Sequence, residues 1–218
     1  MVIVGFTDMH GDVRPLDRMA SDLAAADIVI LAGDITTFGS RQDVARIVEA
    51  IRARCKSLVA IPGNCDPPEV GEYLEEIGIG LHARNQTVDG VAFVGLGGSL
   101  PCLGRTVTEY TEEQLQAFLA RATRGVSPDA PVVLVSHEPP YNTAVDNAHH
   151  GGHAGSASVR FFVEKRRPLL CLCGHIHESR GIDTIGSTKI VNPGPFREGT
   201  YMYTEITDKV EALEIRSC

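Results

Sequence analysis

Residues 169–177, LLCLCGHIH, decide how the rest of the chain is read. The apolar run is too short for a helix, is bounded by Pro168 and Gly174, and predicts a buried strand. His175 and His177 follow, flanking one isoleucine. In extended backbone, residues two apart point the same way, so both imidazoles are expected to face one place at the strand's carboxyl end. Two neutral nitrogen donors at one spot suggest a metal site, provided other segments supply the remaining ligands.

Four more apolar runs end in polar residues able to hold a cation. Residues 2–6 lead into Thr7-Asp8-Met9-His10-Gly11-Asp12. Residues 27–32 end at Gly33-Asp34, residues 58–61 at Pro62-Gly63-Asn64-Cys65-Asp66, and residues 131–136 at His137-Glu138-Pro139-Pro140. Each run predicts a strand, and the open ends of strands in α/β sheets are where ligand crevices form. Between them, residues 14–26 have helical spacing with Pro15 in the first turn. Ser40 can cap a helix to about Arg54 with a stripe of Val44, Ile47, Val48 and Ile51. Further helices are expected over residues 68–77, 111–124 and 156–165. Hairpins are expected at residues 87–94, around Asp89-Gly90, and at 182–191, around Gly186-Ser187. Residues 201–206 and 210–215 read as a final antiparallel pair. Strands alternating with helices, then hairpins, predict an α/β (α+β) fold of four αββα layers: two mixed sheets flanked by helices. No linker or repeat interrupts residues 1–218, so one domain is expected.

The net charge of −8 argues against nucleic acid or an anionic membrane as partner, while leaving room for a small anionic substrate at a local site. No apolar run approaches the roughly 18 residues of a membrane span, and the N-terminus lacks a basic n-region, so no signal peptide is expected. Six scattered cysteines lack the pattern of a disulfide scaffold and favour a cytoplasmic setting. Cys171 and Cys173, inside an apolar strand, read as packing thiols. A homodimer is plausible on general grounds.

The ordered set Asp8-Met9-His10, Gly33-Asp34, Gly63-Asn64-Cys65-Asp66, His137 and Gly174-His175-Ile176-His177 resembles the calcineurin-like metallophosphoesterases over nearly the whole chain. Pro139-Pro140-Tyr141 and CLCGHIHES resemble most the small archaeal and bacterial phosphodiesterases of that superfamily. The resemblance implies that Asp8, His10, Asp34 and His177 hold one metal ion. It implies that Asp34, Asn64, His137 and His175 hold the other, with Asp34 shared, and that Asn64, Cys65, Asp66 and His137 take part in catalysis. Two metals roughly 3.5–4 Å apart can hold a bridging hydroxide and clamp a phosphoryl group for in-line attack. An oxygen and nitrogen donor set suits manganese first, with iron, nickel, cobalt or zinc as the other choices. Two divalent ions offset by Asp8, Asp34 and one hydroxide leave a local charge of about +1, which can draw a phosphate ester into an acidic protein.

One position departs from the family pattern. Cys65 stands where most members carry a histidine thought to protonate the leaving oxygen. A thiol with a reference pKa near ~8.5 is a weak donor, so it either serves poorly in that role or merely packs beside the site. Asp66 is then open to two readings, orienting a water or capping the next helix. His149, His150 and His153 are either solvated loop residues or contacts for the substrate. Asn192-Pro193-Gly194 is expected to shape a turn behind the site, and Asp12 is a turn residue or a partner of His10. The function expected is hydrolysis of small phosphate esters, diesters first. The alternatives are a phosphomonoesterase and a non-catalytic scaffold resembling the retromer subunit of this fold.

Overall fold

The computed structural model describes residues 1–102, 104–149 and 151–218. Its first sheet is built from β1 (Val2–Phe6), β2 (Ile28–Ala32), β3 (Leu58–Ile61), β10 (Thr200–Ile206) and β11 (Val210–Ser217), in the order β11-β10-β1-β2-β3. β1, β2 and β3 run parallel, and β10 and β11 add antiparallel at the β1 edge. The second sheet takes β4 (Asn85–Val88), β5 (Val91–Leu96), β6 (Val132–Ser136), β7 (Leu170–Leu172), β8 (Gly181–Ile185) and β9 (Thr188–Asn192). Its order is β4-β5-β6-β7-β9-β8, with a parallel centre and one antiparallel strand at each edge.

The side chains of each central strand divide between two cores, as a period of two requires. In β2, Ile28, Ile30 and Ala32 point between the sheets, while Val29 and Leu31 point outward. In β6 and β7, Val133, Val135, Leu170 and Leu172 fill the space between the sheets; Val132, Leu134 and Cys171 face the other way. The outer face of the first sheet is covered by α1 (Ala20–Ala25), α2 (Arg41–Arg52) and α3 (Pro68–Glu76). The outer face of the second is covered by α4 (Glu112–Ala122) and α5 (Ala157–Arg166). Three cores separate four layers, so the αββα sandwich expected from the sequence is the observed fold. Cys171 and Cys173 are fully buried in the third core, as packing thiols should be.

Helix caps follow the sequence closely. Ser40 accepts from the Asp43 amide while Asp43 returns the bond to the Ser40 amide, and Thr111 and Gln114 do the same for α4. The single helix expected over residues 14–26 is instead a 3₁₀ turn, Arg14–Asp17, followed by α1. Leu16 of the tighter turn and Met19, at the cap of α1, both enter the core under β1. No helix among the described residues is long and apolar enough to cross a membrane.

Candidate metal centre

The loops leaving the carboxyl ends of β1, β2, β3, β6 and β7 meet in one place. Asp8 and His10 follow β1, Asp34 follows β2, Asn64 follows β3, His137 follows β6, and His175 and His177 follow β7. Ligand-capable atoms of Asp8, His10 and His177 lie within 4.8 Å of one another, and so do those of Asp8, Asp34 and His137. His175 joins the group through its ring, centred 5.3 Å from that of His137, and through its amide, which donates to Asp8 Oδ2 at 3.2 Å. Side chains separated by up to 169 residues in sequence therefore share one crevice.

The two histidines of the opening motif reach it differently from expectation. β7 stops at Leu172, His175 adopts φ +67°, and His177 begins a 3₁₀ turn. The pair does not lie on extended backbone, so the two rings diverge rather than stack on one side. His175 goes to His137, while His177 goes to His10 and Asp8, with Nε2 at 3.1 Å from Asp8 Oδ1. Asp8, His10 and Asp34 also sit at positive φ, between 47° and 54°. Such backbone is unfavourable for L-residues and clusters at functional sites.

Close approach between the loops depends on glycine. A Cβ at Gly174 would lie 2.0 Å from Thr7 Oγ1 and 2.6 Å from Asp8 Oδ2; one at Gly63 would lie 2.1 Å from Asp34 Oδ1. Asn192 does more than turn the chain: its amide donates to Ile176 O at 2.9 Å, and its Oδ1 accepts from Gly194 N. It thereby clamps the histidine loop to the end of β9.

The polar contacts fix which atom of each residue faces the centre. His137 Nδ1 lies 2.9 Å from the Ala32 carbonyl, which can only accept, so Nδ1 carries a proton. Its Nε2 then points at two oxygens, Asn64 Oδ1 at 2.8 Å and Asp34 Oδ1 at 3.4 Å. The Asn64 orientation is set by its Nδ2, which donates to Thr106 Oγ1 at 3.0 Å. His10 Nδ1 is held by Thr37 Oγ1 at 3.0 Å, leaving a buried Nε2 without a hydrogen-bond partner among the described residues, 3.8 Å from Asp34 Oδ2. Acceptors converging on one another, beside an orphaned imidazole nitrogen, call for positive charge between them. Divalent ions fit that need and the mixed oxygen and nitrogen donor set.

The donors divide in their protonation: His10 and His175 are lowered, whereas His137 and His177 are raised. Burial opposes ionisation of Asp8, but the bond from His177, the charges of His137 and His177 and the Thr7 hydroxyl outweigh it and hold the carboxyl well below the usual range. Burial pushes His175 down to about 4, with help from the charge of His137, so it is a neutral donor at pH 7. Burial also lowers His10, against the pull of Asp34 and Asp8. For His137 burial is outweighed by those two carboxylates, and its basicity rises.

Cys65 faces the same crevice: its Sγ lies within 4.8 Å of ligand atoms of His10 and Asp34, and its amide donates to Asp34 Oδ1 at 2.8 Å. Burial, then the charge of Asp34, pushes the thiol far up, so it stays protonated. Asp66, also assigned to catalysis from the sequence, does not cap the following helix, which was one of its two expected roles. The cap position of α3 is Pro67, with no side-chain cap. The Asp66 carboxylate is fully buried and accepts from the amides of Ile35, Thr36 and Gly63 and from the Thr36 hydroxyl, all between 2.8 and 3.0 Å. It staples the loop after β2 to the loop after β3, and burial together with Asp34 pushes it up to about 6. Asp12 pairs with Arg14 and not with His10, so it is a turn residue.

The loop histidines separate. His149 lies in a cleft with His177, Glu178, Arg180, Arg197 and Glu198. His153 is held by the buried Asp146, Nδ1 to Oδ1 at 2.7 Å, with its ring edge on Tyr141; among the described residues no hydrogen bond joins it to the crevice. His150 lies outside the described residues. Sequence reading missed Thr37, Thr106 and Glu109, the last accepting from both the amide and the hydroxyl of Thr106. It also missed Arg197, whose Nη2 is 3.4 Å from His177 Nδ1. The Thr106-x-x-Glu109 spacing was a local turn signal; the other two carry none.

A sequence profile of the calcineurin-like phosphoesterases matches residues 1–179. An uncharacterized protein of Methanocaldococcus jannaschii, MJ1162, is 38% identical over 199 residues, covering 89% of this chain and 88% of that one. TT1561 of Thermus thermophilus superposes with a TM-score of 0.77 at 20% identity, over 99% of this chain and 98% of that one. A structure described as a novel archaeal phosphodiesterase gives a TM-score of 0.55 at 14% identity over the whole of both chains. At such identities the structures speak to the fold alone, while the profile and the M. jannaschii relative speak to descent. The chain thus belongs to the calcineurin-like phosphoesterases, a family that hydrolyses phosphate esters with a dinuclear divalent metal site.

Proposed function

We propose that this protein is a phosphodiesterase acting on a small phosphate ester. Asp8, His10, Asp34 and His177 would hold one divalent ion and Asp34, Asn64, His137 and His175 the other. The single observation that carries the reading is the convergence of His137 Nε2, Asn64 Oδ1 and Asp34 Oδ1 beside the unpartnered His10 Nε2. Metal ions bound there supply Lewis acidity to the phosphoryl oxygens and an activated water. The chain's own work is to hold the donors still. The Ala32 carbonyl fixes the tautomer of His137, Thr37 holds the His10 ring, Thr106 fixes the Asn64 amide, and Asp66 fixes the relative position of the Asp34 and Asn64 loops. Manganese suits this donor set, and six free cysteines are in keeping with a cytoplasmic setting.

The test is a panel of bis-aryl, mono-aryl and cyclic-nucleotide phosphates given to metal-stripped protein reloaded with Mn, Co, Ni or Zn. Hydrolysis of the diester only after reloading is expected; faster turnover of the monoester would make the protein a phosphomonoesterase instead.

Cys65 gives a second expectation. A neutral, half-buried thiol beside Asp34 is a poor proton donor to a departing alkoxide, and general acid catalysis is worth roughly 10²–10⁴-fold. Cys65→His should therefore speed esters with alkyl leaving groups by about 10- to 100-fold and nitrophenyl esters little. An equal effect on both classes would remove Cys65 from any role in proton transfer.

A further inference from the structure

The crevice opens on one side into a cleft of about 600 Å³ lined by His149, His177, Glu178, Arg180, Arg197 and Glu198. Its volume is that of a small-molecule site, and His177 is shared between cleft and crevice. The two nitrogens of that ring divide the labour. Nε2 faces Asp8, whereas Nδ1 faces the Arg197 guanidinium. Arg197 thus lies across the His177 ring from Asp8.

The charges in the cleft are left open. Glu178 is engaged by the His149 amide at 2.7 Å. Among the described residues, neither Arg180 nor Arg197 has a carboxylate within ion-pairing distance, although Glu178 and Glu198 line the same cleft. The aliphatic stem of Arg180 is packed over Gly194, where a Cβ would come within 3.0 Å of its Cδ. Gly194 in turn is tied to Asn192, which clamps the histidine loop. The stem of Arg180 is therefore set by the same residues that position His175 and His177. The two arginines balance the two glutamates, so the cleft is not a general sink for anions; it favours an anion placed at the guanidinium edge.

We infer that Arg180 and Arg197 bind a second phosphate group of the substrate, so that the preferred ester is a diester bearing a further phosphate on one of its alcohols. The inference rests on the phosphodiesterase reading. Guanidinium forks match phosphate oxygens in pairs, and charge-assisted hydrogen bonds are about twice as strong as neutral ones.

Two compounds that both release nitrophenolate test it: the p-nitrophenyl ester of thymidine 5′-phosphate, with and without a 3′-phosphate. With metal-loaded protein the 3′-phosphorylated ester should show kcat/KM about 10- to 100-fold higher, the gain lying in KM. Arg180→Ala and Arg197→Ala should each shrink that ratio to about 2-fold, and Arg197→Lys should restore part of it. Arg180 touches no proposed metal ligand, so its variant separates this role from any effect on the metals. Equal kcat/KM for the two esters, or a ratio that survives both alanine variants, overturns the inference. If neither ester is hydrolysed with any metal, the phosphodiesterase reading fails and binding decides the inference separately. Thymidine 3′,5′-bisphosphate should then bind about 10-fold more tightly than thymidine 5′-phosphate to the unaltered chain and not to Arg180→Ala; equal affinities overturn it.

Discussion

Asp34→Asn is expected to lower kcat/KM on a diester by roughly 10³-fold or more, with fewer bound metal ions per chain and little change in melting temperature. Asp34 belongs to both ligand groups on its side of the crevice, with His10 and Cys65 in one and with Asp8 and His137 in the other. Its two oxygens face different partners, Oδ1 towards His137 and Oδ2 towards His10. An amide of the same shape can still accept from Cys65 N, so the fold keeps its contact. It brings no negative charge to share between two cations. Removing a group that merely supports a metal ligand typically costs 10- to about 100-fold, and a shared ligand should exceed that. Activity within about tenfold of the starting protein, with two metals still bound, would end the claim that Asp34 is the shared ligand.

Asp66→Ala should unfold the protein far more readily without touching a single proposed ligand. The carboxylate is the acceptor for three backbone amides and one hydroxyl, all buried. Each orphaned buried donor costs about 1–3 kcal/mol, so four of them set a loss of at least about 4 kcal/mol. That is a large part of the roughly 5–15 kcal/mol by which domains are stable. Urea denaturation measures it, and hydrogen exchange at Ile35, Thr36 and Gly63 should quicken first. A loss under about 1 kcal/mol would mean water replaces the carboxylate freely, and the staple would be of no consequence.

Much of the architecture was legible because the central strands are buried on both faces. Residues 28–32 and 132–136 read as continuous apolar runs, as parallel strands between two cores must. The seven proposed ligands were legible because each follows such a run directly. What could not be read was conformation. Spacing placed His175 and His177 on one side of a strand, but a positive φ at His175 sends the rings to different neighbours, and no periodicity reports a left-handed residue that is not glycine. Nor could sequence reveal most of what Asp66 touches, because Ile35 and Thr36 lie 31 and 30 residues away in a loop without repeat or pattern. Thr37 and Arg197 were hidden for the same reason: their importance comes from a neighbour in space, not from their own surroundings in the chain.

The left-handed backbone at Asp8, His10, Asp34 and His175 bears on the history of the site. Each such residue costs about 1–2 kcal/mol relative to an ordinary conformation, an expense glycine would avoid. Glycine at these positions would relieve that strain, but it would also remove the Asp34 carboxylate that accepts from Cys65 N and the Asp8 carboxylate that accepts from Thr7 Oγ1 and His175 N. On the proposed reading, aspartate and histidine occupy these strained positions because they are needed there as metal ligands.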